Sequence, residues 1–240
     1  MKKINLDEGF AYGWGVFETM AVVNSRVIFA DRHLQRLQKG LAALGIGEQK
    51  EIEKHFESSD PACAKGVKKV IVTDENIVVD YRETPYTQAD YERGFKLEIA
   101  KIKRNETSPF TYIKSLNYGD NIVAKKEAKK RGVDEPVFLN LQGELTEGAT
   151  TNIFFCHDDK IYTPPVTSGL LPGIMRGWIM ENVLVNESKI YFEDIKKFDE
   201  MFISNSVLGI MPVASLGEKT FSSRKNVEVL RKSYEETMNI

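Results

Sequence analysis

The segment "TYIKSLNYGDNIVAKKEA", residues 111–128, places a single lysine shortly before a stretch that is typical of a solvated helix. Lys114 follows two apolar residues and precedes a short polar run that ends at Tyr118. Most lysines are solvated surface charges, and Lys114 taken alone has that reading. A lysine becomes a nucleophile only when its amine is neutral, and burial favours the neutral form. The apolar residues before Lys114 favour partial burial, so we treat it as a candidate nucleophile.

The bulk composition argues against charged macromolecules as partners. The chain has 240 residues with 33 Lys+Arg and 35 Asp+Glu, which gives a net charge of −2. This near balance gives no electrostatic reason to expect binding to nucleic acid or to an anionic membrane. No apolar run approaches the roughly 20 residues that span a bilayer.

Several features predict a cytoplasmic protein without a metal site. The start "MKKINLDEGF" has no apolar core after its lysines, so we predict no secretory signal. Cys63 and Cys156 are interpreted as reduced thiols, with a disulfide as the minor alternative. The three histidines are scattered and lack metal-ligand spacing, so no metal is predicted.

Helix and strand patterns alternate irregularly, which predicts an α+β protein in two lobes. "GVFETMAVVNSRVIF" is typical of a β-hairpin, and the leucines of "DRHLQRLQKGLAALGI" predict an amphipathic helix with Asp31 as its N-cap. The region 135–164 predicts three strands. The polar, proline-containing "NETSPF" at 105–110 is the best boundary candidate, so we predict lobes at 1–106 and 107–240.

"GELTEGATTNIFF", residues 143–155, places Glu147 at a predicted strand end, beside small residues and threonines. The simpler interpretation is a polar hairpin loop. A carboxylate held there can instead pair with the protonated nitrogen of a pyridine cofactor and tune its electronics.

Three further segments have the chemistry of a phosphate site, and each also has an ordinary structural explanation. In "SGLLPGIMRGWIM" a Pro-Gly turn leads into a helix, whose free N–H groups attract anions. Arg36 in "HLQRL" is either an exposed helix residue or a two-donor phosphate ligand. Asn205 and Ser206 interrupt the apolar "FISNSVLGIMPV", as a local turn or as phosphate partners.

The ordered motifs resemble the class IV pyridoxal-phosphate enzymes, which include branched-chain aminotransferases, D-amino-acid aminotransferases and 4-amino-4-deoxychorismate lyases. The resemblance covers nearly the whole chain and rests on six motifs: "YGWGVFET", "HLQRL", "IKSLNY", "LTEGATTNIFF", "LLPGIMR" and "ISNSVLGIMPV". It implies a fold type IV architecture, like that of D-amino-acid aminotransferase. This fold has a small N-terminal α/β lobe, a larger C-terminal lobe that carries the cofactor lysine, and the cofactor in the cleft. It also implies pyridoxal 5'-phosphate (PLP) as cofactor and a homodimer.

The resemblance implies a role for each matching residue. Lys114 would hold PLP covalently and then move the substrate's proton, and Glu147 would pair with the pyridine nitrogen. The remaining cofactor-binding residues implied are Arg36, Tyr118, Thr150, Ile174, Met175 and Ser206. Tyr12 and Thr150 would lie on the substrate side.

The choice of activity rests on smaller features. "KSLN" after the lysine fits the lyases and D-amino-acid enzymes, and "YRETPYT" resembles bacterial lyases of the folate branch. The leading hypothesis is therefore 4-amino-4-deoxychorismate lyase, with Arg82 as a substrate carboxylate contact or, equally, an ordinary surface arginine. The alternatives are a branched-chain or D-amino-acid aminotransferase and a non-catalytic PLP binder. The common N-terminal hairpin is missing, and Trp14 stands in "YGWG" where relatives often have aspartate, which blurs the substrate assignment.

Overall fold

The computed structural model describes residues 4–47 and 51–239 and divides the chain into two compact units. The first unit holds the described residues up to Pro85 together with Ile113–Tyr118, and the second holds Tyr86–Tyr112 and Gly119–Asn239. This division differs from the sequence-based boundary at 106/107 because the strand Phe95–Ile99 pairs with strands of the second unit. The lysines at residues 2 and 3, considered in predicting no secretory signal, lie outside the described residues.

The first unit is a four-stranded antiparallel sheet with a helix on one face. Its elements are α1 (Glu8–Tyr12), β1 (Val16–Val23), β2 (Arg26–Val27), α2 (Ala30–Ala43), β3 (Lys65–Val72) and β4 (Ile77–Arg82). The sheet order is β2-β1-β3-β4. Alternate residues of β1 point to opposite faces, and Val16, Glu18 and Met20 are buried.

Local sequence explains some boundaries of the first unit and fails at others. The predicted hairpin is present, with Asn24 and Ser25 at φ 51° and 58° in its turn. The predicted N-cap at Asp31 is wrong, since α2 begins after Phe29 at φ 57° and Asp31 lies in the first turn. After α2, a short 3-10 helix forms at Ile52–Phe56.

The second unit contains a nine-stranded sheet and four helices among its described residues. Its first elements are α3 (Gln88–Arg93), β5 (Phe95–Ile99), α4 (Gly119–Lys130), β6 (Glu135–Leu139), β7 (Leu145–Gly148), β8 (Asn152–His157) and β9 (Lys160–Thr163). The remaining ones are α5 (Ile174–Asn182), β10 (Val185–Glu187), β11 (Glu200–Asn205), β12 (Gly209–Leu216), β13 (Lys219–Thr220) and α6 (Lys225–Met238).

The strand order of the second unit brings the ends of β7 and β8 together. The order is β10-β9-β8-β11-β12-β5-β6-β7, and β7 also pairs with β8 through Glu147 and Asn152. This pairing closes the strands from β8 to β7 into a ring around an apolar core that includes Phe155, Ile203 and Met211. The prediction of three strands at 135–164 is corrected to four, because the chain breaks at residues 149–151 between β7 and β8.

The mixture of helices and strands confirms the α+β prediction. Within residues 4–47 and 51–239, no helix has the length and apolar character needed to span a membrane. The same residues contain no group of three or more His, Cys, Asp or Glu side chains arranged to hold a metal ion.

Candidate active site

In the first unit, Lys114 is fixed by its backbone beside β1. The Phe17 N–H donates to the Lys114 carbonyl at 2.9 Å, and Ser115 forms an isolated bridge with Val16. The Lys114 Nζ lies 4.6 Å from the centre of the Phe17 ring and 5.7 Å from that of Tyr118. Cations are attracted to aromatic faces at such distances. The amine is therefore partly buried against two rings and is not an extended surface charge.

Arg36 is oriented by a buried carboxylate that the sequence analysis did not single out. Its Nε and Nη2 donate to the two oxygens of Glu18, each at 2.7 Å. The Nδ1 of His33 lies 2.6 Å from the same carboxylate, and both Glu18 and His33 are fully buried. A two-donor pair of this kind fixes the plane of a guanidinium.

The charge states of this triad follow from burial and pairing. Burial alone would raise the pKa of Glu18, but the charge of Arg36, with the hydrogen bonds from Arg36 and His33, holds this pKa well below its usual range. For His33, burial lowers the pKa by more than the nearby Glu18 carboxylate raises it. Glu18 is therefore an anion, His33 is neutral, and Arg36 supplies the positive charge.

The other predicted residues of this unit lie at different places. Tyr118 packs edge-on against Phe17, with ring centres 5.2 Å apart, and is thereby brought next to Lys114. Tyr12 ends the short helix α1 and is 73% exposed. Arg82 ends β4 and is also exposed.

In the second unit, Glu147 is held on β7 by two partners. One carboxylate oxygen lies 2.9 Å from the Nη2 of Arg104, and the other accepts the Leu171 N–H at 3.0 Å. Arg104 is itself placed by Asn121, 3.0 Å from its Nη1, and lies 4.1 Å over the Phe138 ring. The guanidinium favours the ionised form of the Glu147 carboxylate.

Thr150 belongs to a polar cluster beneath the segment at 148–151. The carboxylate of Glu135 accepts the N–H of Thr150 at 2.6 Å, its hydroxyl at 3.0 Å and the hydroxyl of Thr151 at 3.2 Å. Lys125 pairs with the second oxygen of Glu135. Burial alone would lower the pKa of Lys125, but Glu135 raises it. Thr150 is therefore positioned by Glu135, and its carbonyl accepts from Asn205 at 3.1 Å.

Ile174 and Met175 form the first turn of α5, as the sequence predicts. The N-cap of this helix is Gly173, which supplies no side-chain cap. A Cβ at Gly173 would lie 1.9 Å from the Oδ1 of Asn152, so only glycine fits. Uncapped first-turn N–H groups at the positive end of a helix dipole suit a phosphate.

Ser206 lies, partly buried, in the turn between β11 and β12. The preceding serine, Ser204, is fully buried, and its hydroxyl has no hydrogen-bond partner within the described parts of the chain. Buried hydroxyls normally have partners.

Each of these groups has chemistry that suits one part of PLP. A cationic guanidinium and an uncapped helix start suit its phosphate, a fixed carboxylate suits its ring nitrogen, and a partly buried amine suits its aldehyde. Arg36 and Lys114 belong to the first unit, whereas Glu147, Ile174, Met175 and Ser206 belong to the second.

The supporting residues Glu18, His33, Arg104 and Glu135 were missed by sequence reasoning. Glu18 left one usable signal, because it occupies a buried position in the alternating strand "VFETM". No local pattern in the sequence indicates Arg104 or Glu135, since their partners lie 10 or more residues away.

A family model described as amino-transferase class IV matches residues 15–216. The chain is 28% identical over 245 residues to an aminodeoxychorismate lyase of Bacillus subtilis (strain 168), covering 91% of this chain and 83% of that protein. It is 25% identical over 256 residues to a probable branched-chain-amino-acid aminotransferase of Rickettsia felis, covering 95% and 88%.

Among solved structures, the fold is similar to that of a 4-amino-4-deoxychorismate lyase from Pseudomonas aeruginosa. The TM-score is 0.88 at 22% identity, with 100% of this chain and 97% of that chain covered. At this identity the likeness shows a shared fold.

Proposed function

We propose, from the premise that the chain belongs to the class IV aminotransferases, that it is a PLP-dependent 4-amino-4-deoxychorismate lyase. Enzymes of this family use PLP as their cofactor. The reaction releases pyruvate from 4-amino-4-deoxychorismate and leaves 4-aminobenzoate.

When bound, PLP supplies an electron-withdrawing ring that stabilises negative charge on the substrate carbon next to its nitrogen. Lys114 is the amine that holds the cofactor, and its Nζ then accepts the proton from C4 of the substrate. Glu147 accepts a hydrogen bond from the ring N–H and keeps that nitrogen protonated. Arg36 and the first-turn N–H groups of α5 bind the phosphate.

The observation that carries these roles is how firmly the two chemical groups are held. The Lys114 amine lies against Phe17 and Tyr118, and the Glu147 carboxylate is fixed by Arg104 and the Leu171 N–H. Reacting groups that are oriented beforehand lower the barrier of the step they serve.

The sheet that carries Phe17 has cations that suit a substrate with two carboxylates. Lys69 and Arg82 point to the same face of this sheet as Phe17, together with Asp80. The lyase substrate carries two carboxylates, but so does the 2-oxoglutarate used by an aminotransferase, so this charge supports either reaction. The lyase is preferred for the similarity to the Bacillus lyase and for the segment "KSLN" that begins at the lysine.

A branched-chain or D-amino-acid aminotransferase is the second candidate, supported by the similarity to the Rickettsia protein. The lysine, the carboxylate and the phosphate ligands would serve both reactions. A non-catalytic PLP binder is the third candidate, and the retention of Lys114 and Glu147 argues against it. Homodimeric assembly and a cytoplasmic location stay predictions.

The decisive assay gives the PLP-loaded protein 4-amino-4-deoxychorismate with no keto acid present. We expect pyruvate and 4-aminobenzoate to appear in equal amounts. Formation of glutamate from 2-oxoglutarate and branched-chain or D-amino acids, without pyruvate release, would establish an aminotransferase instead. A yellow protein inert to every substrate would support the binder.

The lysine assignment has its own test. Lys114→Ala should lower turnover by about 10²–10⁴-fold, the usual range for a proton-transfer group. Borohydride reduction followed by peptide mapping should find the pyridoxyl group on Lys114. Lys126→Ala, at an exposed position of α4, is the control and should keep activity and label. A label on another lysine would refute the assignment.

A further inference from the structure

The first turn of α4 contains a buried amide. Asn121 is 5% exposed, and the other buried residues of this helix are two alanines, Ala124 and Ala128. Asparagine is less favourable than alanine in a helix. A buried amide also costs free energy unless its polar atoms are hydrogen-bonded. The contacts of the Asn121 side chain must therefore offset both costs.

The two polar atoms of the Asn121 amide have different partners. Its Nδ2 donates to the Ala149 carbonyl at 2.7 Å, and its Oδ1 accepts from the Nη1 of Arg104 at 3.0 Å. A guanidinium can only donate and a carbonyl can only accept, so these two partners permit one orientation of the amide. Asn121 is therefore held in a single arrangement and holds both partners in turn.

The guanidinium of Arg104 is held at its two terminal nitrogens. Asn121 binds Nη1, and the Glu147 carboxylate lies 2.9 Å from Nη2. The Nε is buried and has no hydrogen-bond partner within residues 4–47 and 51–239. Loss of Asn121 would leave a second buried N–H group unsatisfied, which is costly. The direction in which Arg104 presents Nη2 to Glu147 therefore depends on Asn121.

Asn121 holds two residues that lie two positions apart on the chain. It binds Ala149 directly and reaches Glu147 through Arg104. The segment from Glu147 to Ala149 is thus closed into a ring of hydrogen bonds with the first turn of α4. One amide therefore fixes both the carboxylate and the backbone that follows it.

We propose that Asn121 is a positioning residue of the PLP site, which fixes the Glu147 carboxylate so that it holds the proton of the PLP ring nitrogen. This inference rests on the proposed role of Glu147 and names the side chain that enforces it. A hydrogen bond weakens steeply as its angle departs from the preferred range. A Glu147 carboxylate that is free to turn would hold the proton more weakly, and the PLP ring would then withdraw electrons less strongly.

The experiment compares Asn121→Ala and Asn121→Asp with two controls. Alanine removes both hydrogen bonds and suits a helix, whereas aspartate brings a second carboxylate to Arg104 in competition with Glu147. Asn186→Asp is the control for the change in charge, because Asn186 is exposed and its amide also donates to a backbone carbonyl. Ile122→Ala, at an exposed position of the same helix, is the control for α4.

Two properties of each protein are measured at one pH. The dissociation constant of PLP is obtained by titrating the apo-protein with the cofactor. The protonation of the ring nitrogen is measured by NMR with PLP labelled at that nitrogen, since its resonance differs between the protonated and unprotonated forms. Circular dichroism establishes that each variant is folded.

We expect the ring nitrogen to be protonated in the wild type. Both Asn121 variants should bind PLP about 10–100-fold more weakly, as for the loss of one hydrogen bond to a charged group, and should show a smaller protonated fraction. Both controls should match the wild type. If Asn121→Asp does not fold, Asn121→Ala decides alone.

Two results would overturn the role of Asn121. The first is a folded Asn121→Ala protein with wild-type values for both properties. The second is weaker PLP binding with a ring nitrogen that stays fully protonated, because Asn121 would then only pack the site. A wild type that binds no PLP, or that binds it with an unprotonated ring nitrogen, would instead refute the proposed role of Glu147, and this inference with it.

Discussion

Glu147 shows how neighbouring residues orient a single carboxylate, the one proposed to pair with the ring nitrogen of PLP. One of its oxygens is occupied by Arg104 and the other by a backbone N–H. Arg104 in turn lies over the Phe138 ring and donates a hydrogen bond to the side-chain oxygen of Asn121. Glu18 plays the same part for Arg36 in the first unit. Each functional charge is therefore oriented by a second, opposite charge.

Replacing Arg104 tests this arrangement. Arg104→Met should lower the free energy of unfolding by about 3 kcal/mol, because removing one partner of a buried pair leaves the other charge uncompensated. The variant should also bind PLP more weakly, since Glu147 loses its orientation. Urea denaturation and titration of the apo-protein with PLP measure the two effects.

The matched control for Arg104 is a surface arginine with a similar partner. Arg131 pairs with Glu98, but its side chain is 43% exposed, and exposed pairs contribute little to stability. Arg131→Met should leave both measurements near wild type. Equal losses in the Arg104 and Arg131 variants would contradict a special role for the buried pair.

At the scale of elements, the residues proposed for the site lie where strands and helices begin or end. Glu147 is one residue from the end of β7, the N–H groups proposed to bind phosphate begin α5, and Ser206 lies in the turn after β11. The residues between β7 and β8 are held by Glu135, whose carboxylate accepts hydrogen bonds from the backbone N–H and the hydroxyl of Thr150. Element ends leave backbone donors free and tolerate irregular conformations, which is why they suit ligand binding.

Gly148, at the start of the break between β7 and β8, has no room for a side chain. A Cβ there would lie 2.2 Å from the Thr151 hydroxyl and 2.8 Å from a Glu135 oxygen. Gly148→Ala should therefore displace the cluster, lower the free energy of unfolding by about 1–3 kcal/mol and weaken PLP binding. Thermal unfolding with and without PLP measures both effects.

Gly177, inside α5, is the control for Gly148. A Cβ at this position meets nothing within 4 Å. Gly177→Ala should raise the stability by about 0.5–1 kcal/mol, because alanine loses less entropy than glycine in a helix. If the two alanine variants behaved alike, the packing argument at Gly148 would be wrong.

At the scale of the whole molecule, the short segment that contains Lys114 belongs to the first unit. Ile113–Tyr118 belongs to this unit, although the residues before and after it belong to the second. Its backbone is bound to β1 by the Phe17 N–H and by the bridge between Val16 and Ser115. The stability of the β1 sheet and the placement of Lys114 are therefore linked. Conditions that weaken the buried contacts of Glu18 with His33 and Arg36 should affect both.

Low pH is such a condition. The lowered pKa values of His33 and Glu18 give the direction in which the free energy of unfolding changes. The pKa of His33 is lowered below 6.5, so its contribution to stability is present above pH 6.5 and is lost as the pH falls. The pKa of Glu18 is lowered below 4.5, so its contribution is lost further down, below pH 4.5. We expect the free energy of unfolding to fall between pH 7.5 and 5.5 and again below pH 4.5.

His33→Asn should diminish the first part of this pH dependence, because asparagine does not titrate but can still donate to Glu18. The partly buried His55, whose pKa is also lowered by burial, keeps its own contribution. Urea denaturation at pH 7.5 and 5.5 measures the difference. The control is His157→Asn, at a histidine that is 40% exposed, which should retain the wild-type drop. An undiminished drop in His33→Asn would mean that another group senses the pH.

The sequence by itself determined the local elements and supplied the predicted site residues. The leucine spacing of "HLQRLQKGLAALGI" predicts α2, and Asn24 and Ser25 adopt positive φ angles in the turn that the polar residues predict. Local prediction failed at the start of α2, where Phe29 takes the left-handed conformation. Lys114, Glu147 and Arg36 were recognisable because each stands in a short motif of fixed order.

Only the tertiary structure decided what surrounds these residues. Arg36 meets Glu18 from 18 positions away, Arg104 meets Glu147, and Asn121 joins Arg104 to the Ala149 carbonyl. Strand register and burial select these neighbours, and both depend on the whole sheet rather than on adjacent residues. Burial and neighbouring charge set the protonation and orientation of a side chain. In each unit, the folded sheet therefore gives these residues the surroundings that their proposed roles require.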